Sequence, residues 1–133
     1  MIDRKYVGQS LSPYTVDVEP GRLRFFAKAI GESKPIDAIP PTYLFSLEMD
    51  KPEPFDWLLD MGVHLANVLH GEQSFTYHRM VRAGERVTFE PRIADIYVKK
   101  NGALEFVVRE TNVRNASGAL VAELRTVIVV RHG

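Results

Sequence analysis

The sequence predicts an α+β domain in which one antiparallel sheet curls around a broken central helix. Three observations carry that prediction. Alternating β runs follow one another from Val87 to the C-terminus, separated by turn signals. Apolar residues at helical spacing are confined to the first half, within 20–30 and 42–61. Proline-rich breaks at 35–41 and 50–54 separate those helical stretches.

Residues 1–18 read as an entry segment. Lys5-Tyr6-Val7-Gly8 and Tyr14-Thr15-Val16-Asp17-Val18 alternate as short strands, with Ser12-Pro13 between them. A helix follows. Pro20 suits its first turn, Asp17 or Glu19 can serve its N-terminus, and Gly31 can end it in a left-handed conformation. Leu23, Phe26, Ala27 and Ile30 make one apolar stripe. Residues 31–41 form a loop whose exit is fixed by Pro40-Pro41. Thr42 to Met49 is short and apolar and is read as helix, with Thr42 near its start. Asp50-Lys51-Pro52-Glu53-Pro54 interrupts it. Phe55 to Met61 restarts a turn or two, with Phe55, Leu58 and Leu59 inward.

Leu69 to Val87 is the most individual stretch, read as the first internal strand of the sheet with a turn at Ala83-Gly84-Glu85. Strict alternation puts Phe75 and Tyr77 on one face and Glu72, Ser74, Thr76 and His78 on the other. Val87 to Lys99 changes phase near Pro91, which suggests a bulge. Asn101-Gly102 is a hairpin signal. Leu104, Phe106 and Val108 alternate up to Asn112, and Arg114 to Gly118 is a second turn. Leu120, Ala122, Leu124, Thr126, Ile128 and Val130 alternate to the end. Val121, Val127 and Val129 make the other face of that last strand apolar too. That points to burial against another layer or a partner subunit.

With 133 residues, a single domain over 1–133 is expected. Lys+Arg 17 balances Asp+Glu 17, so nothing suggests a nucleic-acid or membrane-surface partner. The chain has no cysteine, which removes disulfides, thiolate nucleophiles and cysteine zinc sites. No run is long enough to span a bilayer, and a cytoplasmic location is the default expectation. His70 and His78 are too far apart along a strand to share a metal, so no metal site is expected. His64 reads as a lone surface or interface histidine and His132 as tail. Phe55 and Trp57 read as core.

Taken together, the amphipathic helix ending in Ala-Ile-Gly, the acid-x-x-Pro loop, Pro40-Pro41-Thr42, Leu69-His70-Gly71-Glu72-Gln73, Tyr77-His78 and Ala83-Gly84-Glu85 resemble a known family. They look like the MaoC-like dehydratases of the hot-dog fold, in the N-terminal-domain type also called the fatty-acid-synthase-type dehydratase domain. The resemblance spans nearly the whole chain. It implies a CoA or acyl-carrier thioester substrate, no cofactor, and reversible hydration of a trans-2-enoyl thioester to the (R)-3-hydroxyacyl form. Pro41, Thr42, His70, Gly71, Tyr77 and His78 are the substrate-binding candidates it implies.

Working members carry a Gly-Asp-x-Asn-Pro-x-His loop whose Asp and His exchange protons with the substrate through a water. Laid on that pattern, Glu32 falls at the Asp, Lys34 at the Asn, Pro35 at the Pro and Asp37 at the His. Asp37 for His removes the one side chain whose ordinary pKa lies near neutrality. Lys34 beside two carboxylates favours their ionised forms and weakens them as bases. The family also polarises the thioester carbonyl with amides at the central helix N-terminus. Pro40 and Pro41 have no N–H to give there.

Glu32 and Asp37 are therefore candidates from a degenerate loop, and as plain chemistry they also read as a solvated polar cluster. The resemblance implies an acyl-binding subunit paired with a catalytic MaoC-type chain, or a homodimer. Two alternatives stand beside it. One is a self-sufficient homodimeric hydratase or thioesterase, for which Glu48 is the only acid well inside the first central helical stretch. The other is an acyl-thioester-binding or scaffolding module without chemistry.

Overall fold

Glu19 starts the first helix, α1 (Pro20–Ala29), by accepting hydrogen bonds from the Gly21 and Arg22 amides. Gly31, with φ +90°, lets the chain leave it. Leu23 and Ala27 are buried and Phe26 half-buried, while Ile30 is exposed beyond the last turn. The computed structural model describes residues 1–32 and 37–132.

The central helix is broken, as its prolines require. It consists of α2 (Tyr43–Glu48) and α3 (Asp56–Asp60). Leu58 is fully buried, but Leu59 is 49% exposed and Phe55 38% exposed. A helix of five residues turns only one narrow face to the core, so the expected inward trio reduces to one residue.

The strands are β1 (Tyr14–Asp17), β2 (Val68–Tyr77), β3 (Arg86–Lys99), β4 (Leu104–Asn115) and β5 (Leu120–Arg131). They form one antiparallel sheet in the order β1-β3-β4-β5-β2. β2 is thus an edge strand bonded to β5, not an internal one. The expected strand at 5–8 is absent. Asp3 caps a single 3-10 turn over Arg4–Tyr6, and Gly8 at φ +88° reverses the chain. The turns at Gly84, Asn101-Gly102 and Gly118 lie where the sequence placed them, each glycine at positive φ.

Two clusters fill the helix side of the sheet. One packs Leu23, Tyr43, Leu44 and Leu47 on Val87, Phe89, Val113, Ala122 and Leu124. The other packs Ile2, Leu58 and Met61 on Ile93, Ile96, Val107, Ile128 and Val130. The phase change in β3 is a bulge between Ile93 and Asp95, close to Pro91, and it keeps both Ile93 and Ile96 inward.

The apolar alternation of Leu104, Phe106 and Val108 does not mark the core face of β4. Glu105, Val107, Arg109, Thr111 and Val113 are all buried, and the clusters above use Val107 and Val113. Leu104 and Phe106 belong to the outer face, where Phe106 stacks on Tyr97 at 4.9 Å. Outer-face Val127 is 3% exposed and lies opposite Val108, also 3% exposed. Both valines are buried within the single chain.

A second bulge lies in β2 between His70 and Glu72. A Cβ on Gly71 would sit 2.9 Å from Val129 Cγ2 and 3.1 Å from the Val127 carbonyl oxygen. Only glycine lets the bulged strand approach β5 this closely. Gly71→Ala is expected to cost about 1–3 kcal/mol through forced shifts of packed backbone. Urea unfolding of the variant measures it, and a change below about 0.5 kcal/mol would contradict the close-approach argument.

Candidate functional site

The break in the central helix leaves a cavity of about 290 Å³ between α2, the 49–57 connection and the β2 side of the sheet. Phe45, Met49, Phe55, Trp57, Leu65, Val68 and Ile128 make its walls apolar. Leu65 and His70 at its rim are exposed, whereas Glu48, Arg109, Thr126 and Ile128 are buried. The cavity therefore runs from an open apolar mouth to a polar floor. The His70 ring stacks on Phe45 at 5.3 Å and 14° and holds that side of the mouth.

The floor is a charge pair. Glu48 at the end of α2 is 7% exposed and Arg109 on β4 is 9% exposed. Glu48 Oε2 lies 3.3 Å from Arg109 Nη1. The guanidinium carbon sits 5.0 Å from the Trp57 ring centroid, a cation–π contact. Burial pushes the Glu48 carboxyl above the usual glutamate range, against the pull of Arg109 and Lys51. Burial also lowers Arg109, which the Glu48 charge opposes. Among the described residues, Glu48 Oε2 and Arg109 Nε have no hydrogen-bond partner. Beside the pair, the Thr126 hydroxyl donates to Gln73 Oε1 at 2.6 Å.

The structure scatters the residues singled out from the sequence. His70 lines the cavity, and Gly71 makes the bulge that turns His70 inward. That bulge changes the phase of β2, so His70 and His78 lie on opposite faces of the sheet. His78 is on the outer face with Glu123, 2.8 Å away. The Tyr77 hydroxyl donates to the Pro41 carbonyl, tying β2 to the start of α2. Burial pushes the Tyr77 phenol up to about 12, so at neutral pH it stays a donor. Thr42 is exposed and makes no side-chain cap on α2. The Tyr43 amide, which begins that helix, is bonded to the Pro40 carbonyl at 3.1 Å.

Glu32 and Asp37 are both exposed and neither lines the cavity. The Asp37 carboxylate accepts from Arg82 Nη1 at 2.7 Å, across the Ala38–Arg82 bridge. Lys34 and Pro35 lie outside the described residues. Phe55 and Trp57, read as core, are cavity walls. Arg109 escaped the sequence reading altogether. Its only signal is a charged residue directly after Val107-Val108 in a strand run. His132, read as tail, is bonded to buried Glu105 at 2.8 Å.

A sequence profile of the FAS1-like dehydratase domain region matches residues 5–124. The UPF0336 protein of Streptomyces griseus is 32% identical over 98% of this chain and 95% of its own length. A MaoC-like dehydratase from Phytophthora capsici superposes with TM-score 0.82 and 23% identity, over 98% of this chain and 50% of that one. The HadBC (3R)-hydroxyacyl-ACP dehydratase complex of Mycobacterium tuberculosis gives TM-score 0.75 and 19% identity, over 93% and 96% of the two chains. The fold is therefore the hot-dog fold of the MaoC-like dehydratases. Among the described residues, no helix is long and apolar enough to cross a membrane.

Proposed function

The chain belongs to the FAS1-like dehydratase domain family, and from that premise we propose that it is the acyl-binding, catalytically degenerate partner in an (R)-specific enoyl-thioester hydratase or 3-hydroxyacyl-thioester dehydratase. The observation that carries this reading is the separation of the loop carboxylates from the cavity. Adding water across an enoyl double bond needs an acid and a base beside the reacting carbons. Glu32 and Asp37 stand at the positions for that pair, yet neither lines the cavity, and Asp37 is engaged by Arg82.

What remains suits binding. The apolar walls fit an acyl group, and Phe45 with His70 frames its entry. Pro40, Pro41 and the engaged Tyr43 amide leave the start of α2 poorly equipped to polarise a carbonyl. The edge position of β2 supports pairing with a second hot-dog chain that supplies the Asp and His. A homodimer would use the same edge. Under this reading the protein works in cytoplasmic fatty-acid metabolism on CoA or carrier-protein thioesters. Hydrolysis by Glu48 is less favoured, because that carboxyl is at the buried floor and the thioester would have to follow it there.

Co-expression with an Asp/His-bearing MaoC-type chain encoded nearby tests the proposal. The isolated chain should not hydrate crotonyl-CoA above background, and the co-purified pair should be at least about tenfold faster than the partner alone. A pair no faster than a partner that is stable alone sinks it. Turnover by the isolated chain that is lost in Glu32→Gln would establish the self-sufficient enzyme instead. Absence of any thermal shift with CoA esters, alone and in the pair, would leave the scaffolding role.

A further inference from the structure

Resting on the thioester reading above, we infer that the cavity selects short acyl groups ending in a neutral hydrogen-bonding group, such as a hydroxyl or carboxamide, over plain alkyl chains. At about 290 Å³ it stands at the small end of the range for ligand pockets. A chain that enters past Leu65 and His70 meets apolar walls and then the Glu48–Arg109 floor. An alkyl terminus there completes nothing. It leaves the donor Arg109 Nε without a hydrogen-bond partner among the described residues, and Glu48 Oε2 with only the 3.3 Å ion-pair contact to Arg109 Nη1.

Both atoms have almost no accessible surface, so a ligand group meets them only if the Glu48 and Arg109 side chains turn toward the cavity, and it would then gain interactions that water does not already supply. The neighbouring Thr126 hydroxyl is committed to Gln73 and does not compete. Charge decides what kind of group fits. A carboxylate would suit Arg109 but abut the Glu48 carboxylate, and an ammonium would suit Glu48 but abut the guanidinium. A hydroxyl donates to Glu48 and accepts from Arg109 without disturbing a pair that is already balanced. The substrate class is therefore a short ω-hydroxyacyl or ω-carboxamidoacyl thioester, and Glu48 and Arg109 are its specificity determinants.

Calorimetric titration of the purified protein with matched CoA esters tests this. Butyryl-CoA and hexanoyl-CoA are each compared with their ω-hydroxy counterparts, and decanoyl-CoA reports on length. For at least one pair the ω-hydroxy ester should bind about tenfold tighter, and decanoyl-CoA should bind more weakly than either member of that pair. Alkyl esters that bind as tightly as their hydroxy counterparts at both lengths overturn the inference while leaving the thioester reading intact. Failure of every ester to bind, both to the chain alone and to the co-purified pair, overturns both. In the double variant Glu48→Leu with Arg109→Met the preference should pass to the alkyl esters. A hydroxyl preference that survives in it would place selectivity elsewhere and overturn the assignment.

Discussion

Replacing Arg109 with methionine is expected to destabilise the protein by about 3–5 kcal/mol at about pH 8, and by distinctly less at about pH 5. The argument starts from burial. Glu48 and Arg109 are each more than nine-tenths buried, so each charge has lost most of its water and depends on the other. Methionine keeps the aliphatic bulk of arginine against Trp57 but removes the cation, including its contact with the indole. Glu48 is left as an uncompensated buried carboxylate. Its carboxyl already lies above the usual glutamate range because of burial, and losing the Arg109 attraction moves it further in that direction.

The sign of the pH dependence follows. A group whose folded-state pKa is raised contributes its stability fully below its unfolded pKa and loses it as pH rises through the folded value. The Arg109→Met variant should therefore recover part of its stability on acidification, as Glu48 takes up a proton. Glu48→Gln should not recover in the same way, because the stranded guanidinium keeps its charge across this range. Replacing both residues, with Glu48→Leu and Arg109→Met, should be near neutral or stabilising, since an apolar pair carries no desolvation cost. Denaturant titrations of the three variants at both pH values measure this. Equal losses in Arg109→Met at both pH values would contradict it.

What the sequence made legible was local. The first helix announces itself through Glu19, Pro20 and Gly31, and the turns through Gly84, Asn101-Gly102 and Gly118. In each case a few neighbouring residues satisfy or release the backbone without tertiary help. The broken central helix was equally legible, because Pro52 and Pro54 cannot continue a helix.

The register of β4 was not legible. Leu104, Phe106 and Val108 make the better apolar pattern, yet the structure turns Glu105 and Arg109 inward. Pattern reasoning assumes that charges face water. That fails where a buried charge finds its partner on a distant element, here Glu48 for Arg109 and the N-terminal segment for Glu105. The Gly71 bulge was hidden for a related reason. Its glycine is demanded by contact with Val127 and Val129 on another strand, not by its own backbone angles. Both errors fall on the candidate site, since one hid the cavity floor and the other the inward turn of His70.

Glu105→Ala is the second large effect expected, a loss of about 2–4 kcal/mol. Glu105 is 0% exposed and gathers both ends of the chain. Its two carboxylate oxygens each lie 3.1 Å from the Ile2 amide. Arg4 Nη1 donates to Oε2 at 2.7 Å, and the His132 ring lies 2.8 Å from Oε1. Burial alone would raise this carboxyl, but Arg4, His132 and the Ile2 amide outweigh burial and hold it below its ordinary value of 4.5. Its stabilisation is therefore fully present above about pH 4.5 and is lost as pH falls through the lower folded-state value.

Alanine strands the Ile2 amide under the sheet and releases Arg4 and His132 to solvent. Hydrogen exchange should then speed up at both termini before the rest of the sheet is affected. Glu105→Gln keeps the shape and part of the hydrogen bonding, so its loss should be smaller. The acid sensitivity below about pH 4.5 should flatten, because the group that titrates is gone. An unchanged acid limb in Glu105→Gln would assign that sensitivity to another carboxylate and remove Glu105 as the clamp joining the two ends of the chain.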